Sequence, residues 1–94
     1  MTETKRFVLV TGAAGGIGSA AVEHFTAMGW SVIGVDQIPW KSGTEFPEGG
    51  LFIQADIADP KSVDEIFLKV KGLTNTLEAV VNNAALQVAK PLVD

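Results

Sequence analysis

The sequence contains no cysteine, no tyrosine and a single histidine. Without thiols neither a disulfide framework nor a thiolate metal site can form, and His24 cannot build a metal site without borrowed carboxylates. Cations are also in short supply: 7 Lys and Arg against 11 Asp and Glu give a net charge of -4. With no basic run, neither nucleic acid nor an anionic membrane surface is an expected partner. No stretch approaches the ~18 uninterrupted apolar residues of a membrane helix. The apolar run after Arg6 turns at Gly12, too soon for a secretory h-region followed by a cleavage site. The expected location is therefore cytoplasmic. A chain of 94 residues is expected to form a single domain, 1-94, with a modest core, since a domain of this size buries only about two thirds of its unfolded surface.

What is present is an alternation of short apolar runs and helical spacings. Phe7-Val8-Leu9-Val10, Val32-Ile33-Gly34-Val35, Leu51-Phe52-Ile53-Gln54-Ala55 and Leu77-Glu78-Ala79-Val80-Val81 read as four strands. The first two are continuous enough for buried strands of a parallel sheet. Between the first two, Ile17, Ala20, Ala21, Phe25 and Met28 recur at helical spacing, and Gly29 stands where a left-handed cap is expected. A second helix follows Asp59-Pro60, an N-cap and a first-turn proline, with Val63, Ile66, Phe67 and Val70 on one face. Residues 37 to 50 carry Pro39, Pro47, Gly43, Gly49 and Gly50 and no apolar period, so they read as an irregular crossover that covers its flank of the sheet thinly. The order β-α-β-loop-β-α-β predicts an α/β fold with a parallel sheet.

Chemistry concentrates at the end of the first strand, in Thr11-Gly12-Ala13-Ala14-Gly15-Gly16-Ile17-Gly18. Glycines in a strand-to-helix turn let the backbone approach a pyrophosphate, while the free N–H groups and positive dipole end of the helix attract its charge. Asp36 ends the second strand close to the ~20-residue separation expected for the acid that holds an adenosine ribose. Its carboxylate can accept from ribose hydroxyls and would repel a 2′-phosphate, and Gln37 beside it supplies no compensating cation. NAD is therefore expected in preference to NADP. The competing structural readings are a tight turn that binds nothing and a carboxylate that merely ends a strand in solvent.

The spacing of Thr11, Gly12, Gly16 and Gly18 resembles the glycine motif of the short-chain dehydrogenase/reductase family. Two later segments resemble it as well: Asp56-Ile57 after the third strand and Asn82-Asn83-Ala84-Ala85 after the fourth. The resemblance implies a truncated Rossmann-type, doubly wound sheet of about four strands in the order 3-2-1-4 with two main helices. It implies a cofactor site made by Gly12, Gly15, Gly16, Ile17, Gly18, Asp36, Asp56, Ile57, Asn83 and Ala84. In that scheme Asp56 accepts from the adenine amine, Ile57 packs on the ring, and the asparagine segment braces the sheet and lines the ribose. Ala85 departs from the family's last glycine and would be strained if a positive φ were required there.

Members of that family transfer a hydride between NAD(P) and an alcohol or carbonyl through a serine and a Tyr-x-x-x-Lys arrangement. This sequence has no tyrosine, and Ser19, Ser31, Ser42 and Ser62 all precede the fourth strand, so no catalytic residue is assigned. The expected function is that of an NAD(H)-binding fragment of such an oxidoreductase, not catalytic by itself. Two alternatives stand beside it: a nucleotide-binding or interaction module without redox chemistry, and a vestigial fragment with an unused turn. By the same resemblance the fourth strand is an open edge, which invites a homo-oligomer or completion by another chain. The remaining candidates have simpler readings. His24 suits a helix surface, Trp30 the helix-to-strand corner and Trp40 an edge of the core. Asp59, Asp64 and Glu65 suit the start of a helix without a metal.

Overall fold

The computed structural model describes residues 6–41 and 44–83. The chain runs through strand β1 (Phe7–Thr11), helix α1 (Gly16–Ala27), strands β2 (Ser31–Asp36) and β3 (Leu51–Gln54), helix α2 (Pro60–Leu73) and strand β4 (Ala79–Asn82). The four strands form one sheet in the order β3-β2-β1-β4, with every neighbouring pair parallel. This is the predicted architecture.

Alternation of side chains across the pleat explains why the strands are so apolar. Phe7 and Leu9 point to one face with Ile33, Val35 and Ile53, where Ile66 and Val70 of α2 cover them. Val8 and Val10 point to the other with Val32, where they meet Ala13 and Val22 of the α1 side. Both faces of the central strands are buried, so each position is apolar whichever way it points. Val8, Val10, Val22, Val32, Ile33 and Val35 are fully buried, and each such side chain contributes roughly 1.5–3 kcal/mol relative to exposure.

Helix α1 is rotated from the face that periodicity alone suggests. Its inward line is Gly18, Ala21, Val22 and Phe25, whereas Ile17 is 72% exposed and Met28 57%. Gly18 sets this phase, because its Cα lies against the carbonyl of Gly12 so closely that a Cβ would collide with that oxygen. The residue one turn on, Val22, then enters the core, and Ile17 is carried out of it. The helix closes as predicted at Gly29 (φ 92°), where Trp30 N donates to Phe25 O and Gly29 N to Thr26 O, the paired bonds of a Schellman cap. Trp30 then packs edge-on against Phe25 at the corner into β2.

In α2 the expected cap is present, with Asp59 Oδ1 accepting from Lys61 N at 3.1 Å and Pro60 in the first turn. Asp64 and Glu65 lie beyond the first turn, which holds no acid; the dipole account applies to Asp59 alone. Ile66 and Val70 are buried, but Phe67 is half exposed on the flank of the helix.

Two further expectations are corrected. The connection after β2 has no helix among its described residues, yet its flank is not thinly covered. Trp40, Phe46 and Phe52 pack against one another and onto the α1-side core, supplying with aromatic bulk the cover a helix would give. Strand β4 begins at Ala79, not at Leu77, and extends through Asn82. Leu77 instead packs onto the α2-side core, and Glu78 N donates to Phe7 O as the chain joins the sheet.

Candidate functional site

The C-terminal ends of β1, β2, β3 and β4 bring the predicted residues to one edge of the sheet, a consequence of parallel strands whose order reverses direction at β1. Chain reversal after β1 needs Gly12, which has φ 66°, a conformation that L-residues with a Cβ rarely adopt. The turn then tightens through Gly15 N to Gly12 O at 3.2 Å, and α1 begins with Ser19 N donating to Gly15 O at 2.8 Å. No side chain caps this helix. Among the described residues the N–H groups of Gly16, Ile17 and Gly18 have no acceptor one turn back, and helix geometry points them along the axis at its positive end.

The glycines of the turn do different work. Gly18 is needed for close packing of helix on turn, as above. Gly16 is exposed, and a Cβ there meets nothing within 4 Å, so its missing side chain leaves room above the helix start. Ile17, mostly exposed, stands beside that room.

Gly12 O is also held from the far side of the sheet. Asn83, buried, donates from Nδ2 to it at 3.2 Å. Beside it the hydroxyl of Thr11 reaches Asn82 Oδ1 at 3.2 Å and Val81 O at 3.4 Å. The asparagine pair thus ties the end of β4 to the glycine turn. Ala84, and with it Ala85, lies outside the described residues.

Asp36 does not end its strand in open solvent. Its Oδ2 accepts from Ala14 N at 2.9 Å and its Oδ1 from Ile38 N at 3.3 Å. Its carbonyl accepts from Ala55 N at 2.9 Å, so one residue joins the glycine turn, the segment after β2 and the segment after β3. Gln54 Nε2 reinforces the last link by donating to Gln37 O at 3.1 Å. Asp56 and Ile57 lie on the segment after β3, both exposed. Asp56 folds that segment by accepting from Ala58 N at 2.9 Å, and Ile57 presents apolar surface at its tip.

Sequence reasoning missed the role of Ala14, for which no side-chain signal exists because the backbone N–H is what acts. His24 is exposed on α1, as its surroundings in the sequence suggest. Among the described residues no group of His, Cys, Asp and Glu is arranged to hold a metal, and no helix is long and apolar enough to cross a membrane. A groove of about 500 Å³ lies away from the turn, between Phe67, Leu68 and Lys71 of α2 and the Thr74–Leu77 approach to β4. It is uncovered flank, without the outward N–H groups that distinguish the turn.

Known proteins share this fold. The sequence model of a family described as short chain dehydrogenase matches residues 6–94. An uncharacterised oxidoreductase of Schizosaccharomyces pombe is 34% identical over 92% of this chain and 32% of its own length. The NAD(+)-dependent 15-hydroxyprostaglandin dehydrogenase of Rattus norvegicus is 38% identical over 86% of this chain and 34% of its own. Among solved structures, a short chain dehydrogenase from Leptospira borgpetersenii with bound NAD+ superposes with a TM-score of 0.73 at 32% identity, covering 83% of this chain and 30% of that one. ElxO with NADPH bound superposes with a TM-score of 0.72 at 28% identity, covering 85% and 35%. The chain spans about a third of the length of these relatives.

Proposed function

This chain belongs to the short-chain dehydrogenase family, and we propose that it forms the NAD-holding part of an oxidoreductase of that family. The observation that carries the reading is the glycine turn: outward N–H groups at the start of α1, with open space over Gly16 where a side chain would obstruct a phosphate. In this reading Gly12, Gly15, Gly16, Ile17 and Gly18 hold the pyrophosphate. Asp36 accepts from the adenosine ribose, Asp56 and Ile57 take the adenine, and Asn83 and Ala84 border the second ribose. When bound, NAD supplies the hydride acceptor for an alcohol or, reduced, the donor for a carbonyl. The residues of this chain bind and orient it; none is assigned a proton-transfer role, and the sequence has no tyrosine.

NAD is preferred over NADP because a carboxylate at Asp36 repels a 2′-phosphate at close range. Among relatives both cofactors occur, NAD+ in the Leptospira enzyme and NADPH in ElxO. The preference therefore rests on Asp36 itself.

Calorimetric titration tests the reading. The chain should give saturable heat with NAD and a weaker response to NADP, and Gly16→Val should abolish the NAD signal while leaving thermal unfolding unchanged. A chain silent to NAD at millimolar concentration contradicts it.

We further propose that β4 is a pairing edge, used by a second copy or by another polypeptide. Val80 at this edge is 58% exposed, and an exposed apolar edge strand is a template for association. Sedimentation should show self-association that Val80→Lys removes. A strictly monomeric chain with no affinity for another polypeptide contradicts the proposal.

A further inference from the structure

We infer that Asp36 is a positioning residue for the pyrophosphate turn, and not solely a partner for the ribose; the inference deepens the proposed NAD site and rests on it for its ligand. The turn from Gly12 to Gly15 is held by few bonds. Ala13 N donates to Val35 O at 3.1 Å and Gly15 N to Gly12 O at 3.2 Å, both backbone pairs. Among the described residues the intervening N–H, that of Ala14, is satisfied by the side chain of Asp36 alone, at 2.9 Å. The same carboxylate takes the N–H of Ile38 on its other oxygen. The carboxylate thus links the glycine turn to the segment after β2.

This arrangement has a consequence opposite in sign to simple electrostatics. A carboxylate near a phosphate site repels the anion, so removing it should tighten the binding of an anion that never touches the ribose. If Asp36 also holds the turn in its binding shape, removing every acceptor at this position loosens the N–H groups and weakens that anion instead. An amide retains one acceptor. In Asp36→Asn the side-chain oxygen can still take the Ala14 N–H, while its NH2 group is left against the Ile38 N–H, donor facing donor. Positioning survives there and the charge does not.

Amide hydrogen exchange on the ligand-free chain reads the positioning directly. Asp36→Ala should speed exchange at Ala14 by about tenfold or more, the size of a lost charge-assisted bond. Asp36→Asn should keep Ala14 protected and speed Ile38. Titration with inorganic pyrophosphate reads the consequence: weaker than wild type for Asp36→Ala, equal or tighter for Asp36→Asn, with NAD weakened in both. The inference is overturned if Ala14 exchange is unchanged in Asp36→Ala, or if both variants tighten pyrophosphate alike. If Asp36→Ala does not fold, Asp36→Asn decides, since exposure of Ala14 with protection of Ile38 contradicts the geometry. Failure of the NAD reading is separately visible as absence of heat from wild type with NAD, and leaves the exchange result to stand or fall alone.

Discussion

The two sides of β1 differ in how completely the chain is satisfied. At its C-terminal end every strand feeds a turn or loop tied to another: Asn83 to Gly12, Ala14 to Asp36, Ala55 to Asp36. On the α2 and β4 flank the opposite holds. Phe67 is 50% exposed, Leu68 69% and Val80 58%, and an open groove separates α2 from the approach to β4. The edge that carries the glycine turn is organised by contacts among the described residues, while the α2 flank is left open.

Substitutions can break or sharpen that contrast. The largest effect is expected at Gly18→Val, where the new side chain meets the Gly12 carbonyl. A backbone collision of this kind has no flexible neighbour to absorb it, and urea denaturation should show a loss of about 3 kcal/mol or more. Next is Ile66→Ala, which empties a buried position of α2 and should cost about 2–5 kcal/mol in the same measurement. Its neighbour on the open flank, Leu68→Ala, should change stability by no more than about 0.5 kcal/mol. Equal costs for Ile66 and Leu68 would mean that the flank is covered in solution and that the two sides do not differ.

How much of this was legible in the sequence follows from which forces set each feature. The strands were legible because sheet positions buried on either face leave no room for polar residues, and the order of landmarks carried the topology. Asp59 and Gly29 were legible because caps depend on local chemistry. The phase of α1 was not, since Gly18 against Gly12 fixes it through a contact between backbones that has no apolar signature. Trp40 was legible as cover for an edge of the core, but its packing with Phe46 and with Phe52 of β3 was not, because residues divided between an irregular connection and a strand share no period. At the glycine-turn edge, Gly12, Asp36 and Asn83 were expected from residue type and spacing, and the fold brings them together. The bond from Ala14 to Asp36 was not expected, since an alanine donates it through its backbone.

The central claim is that the turn from Gly12 to Gly18 holds a dinucleotide, and the most direct measurement is calorimetric titration of the chain with NAD, run beside Gly16→Val. Saturable heat from the native sequence, lost in a variant that melts at the same temperature, is the predicted result. Heat that persists unchanged in Gly16→Val would place the ligand elsewhere, and no heat from either would leave the turn without its proposed occupant.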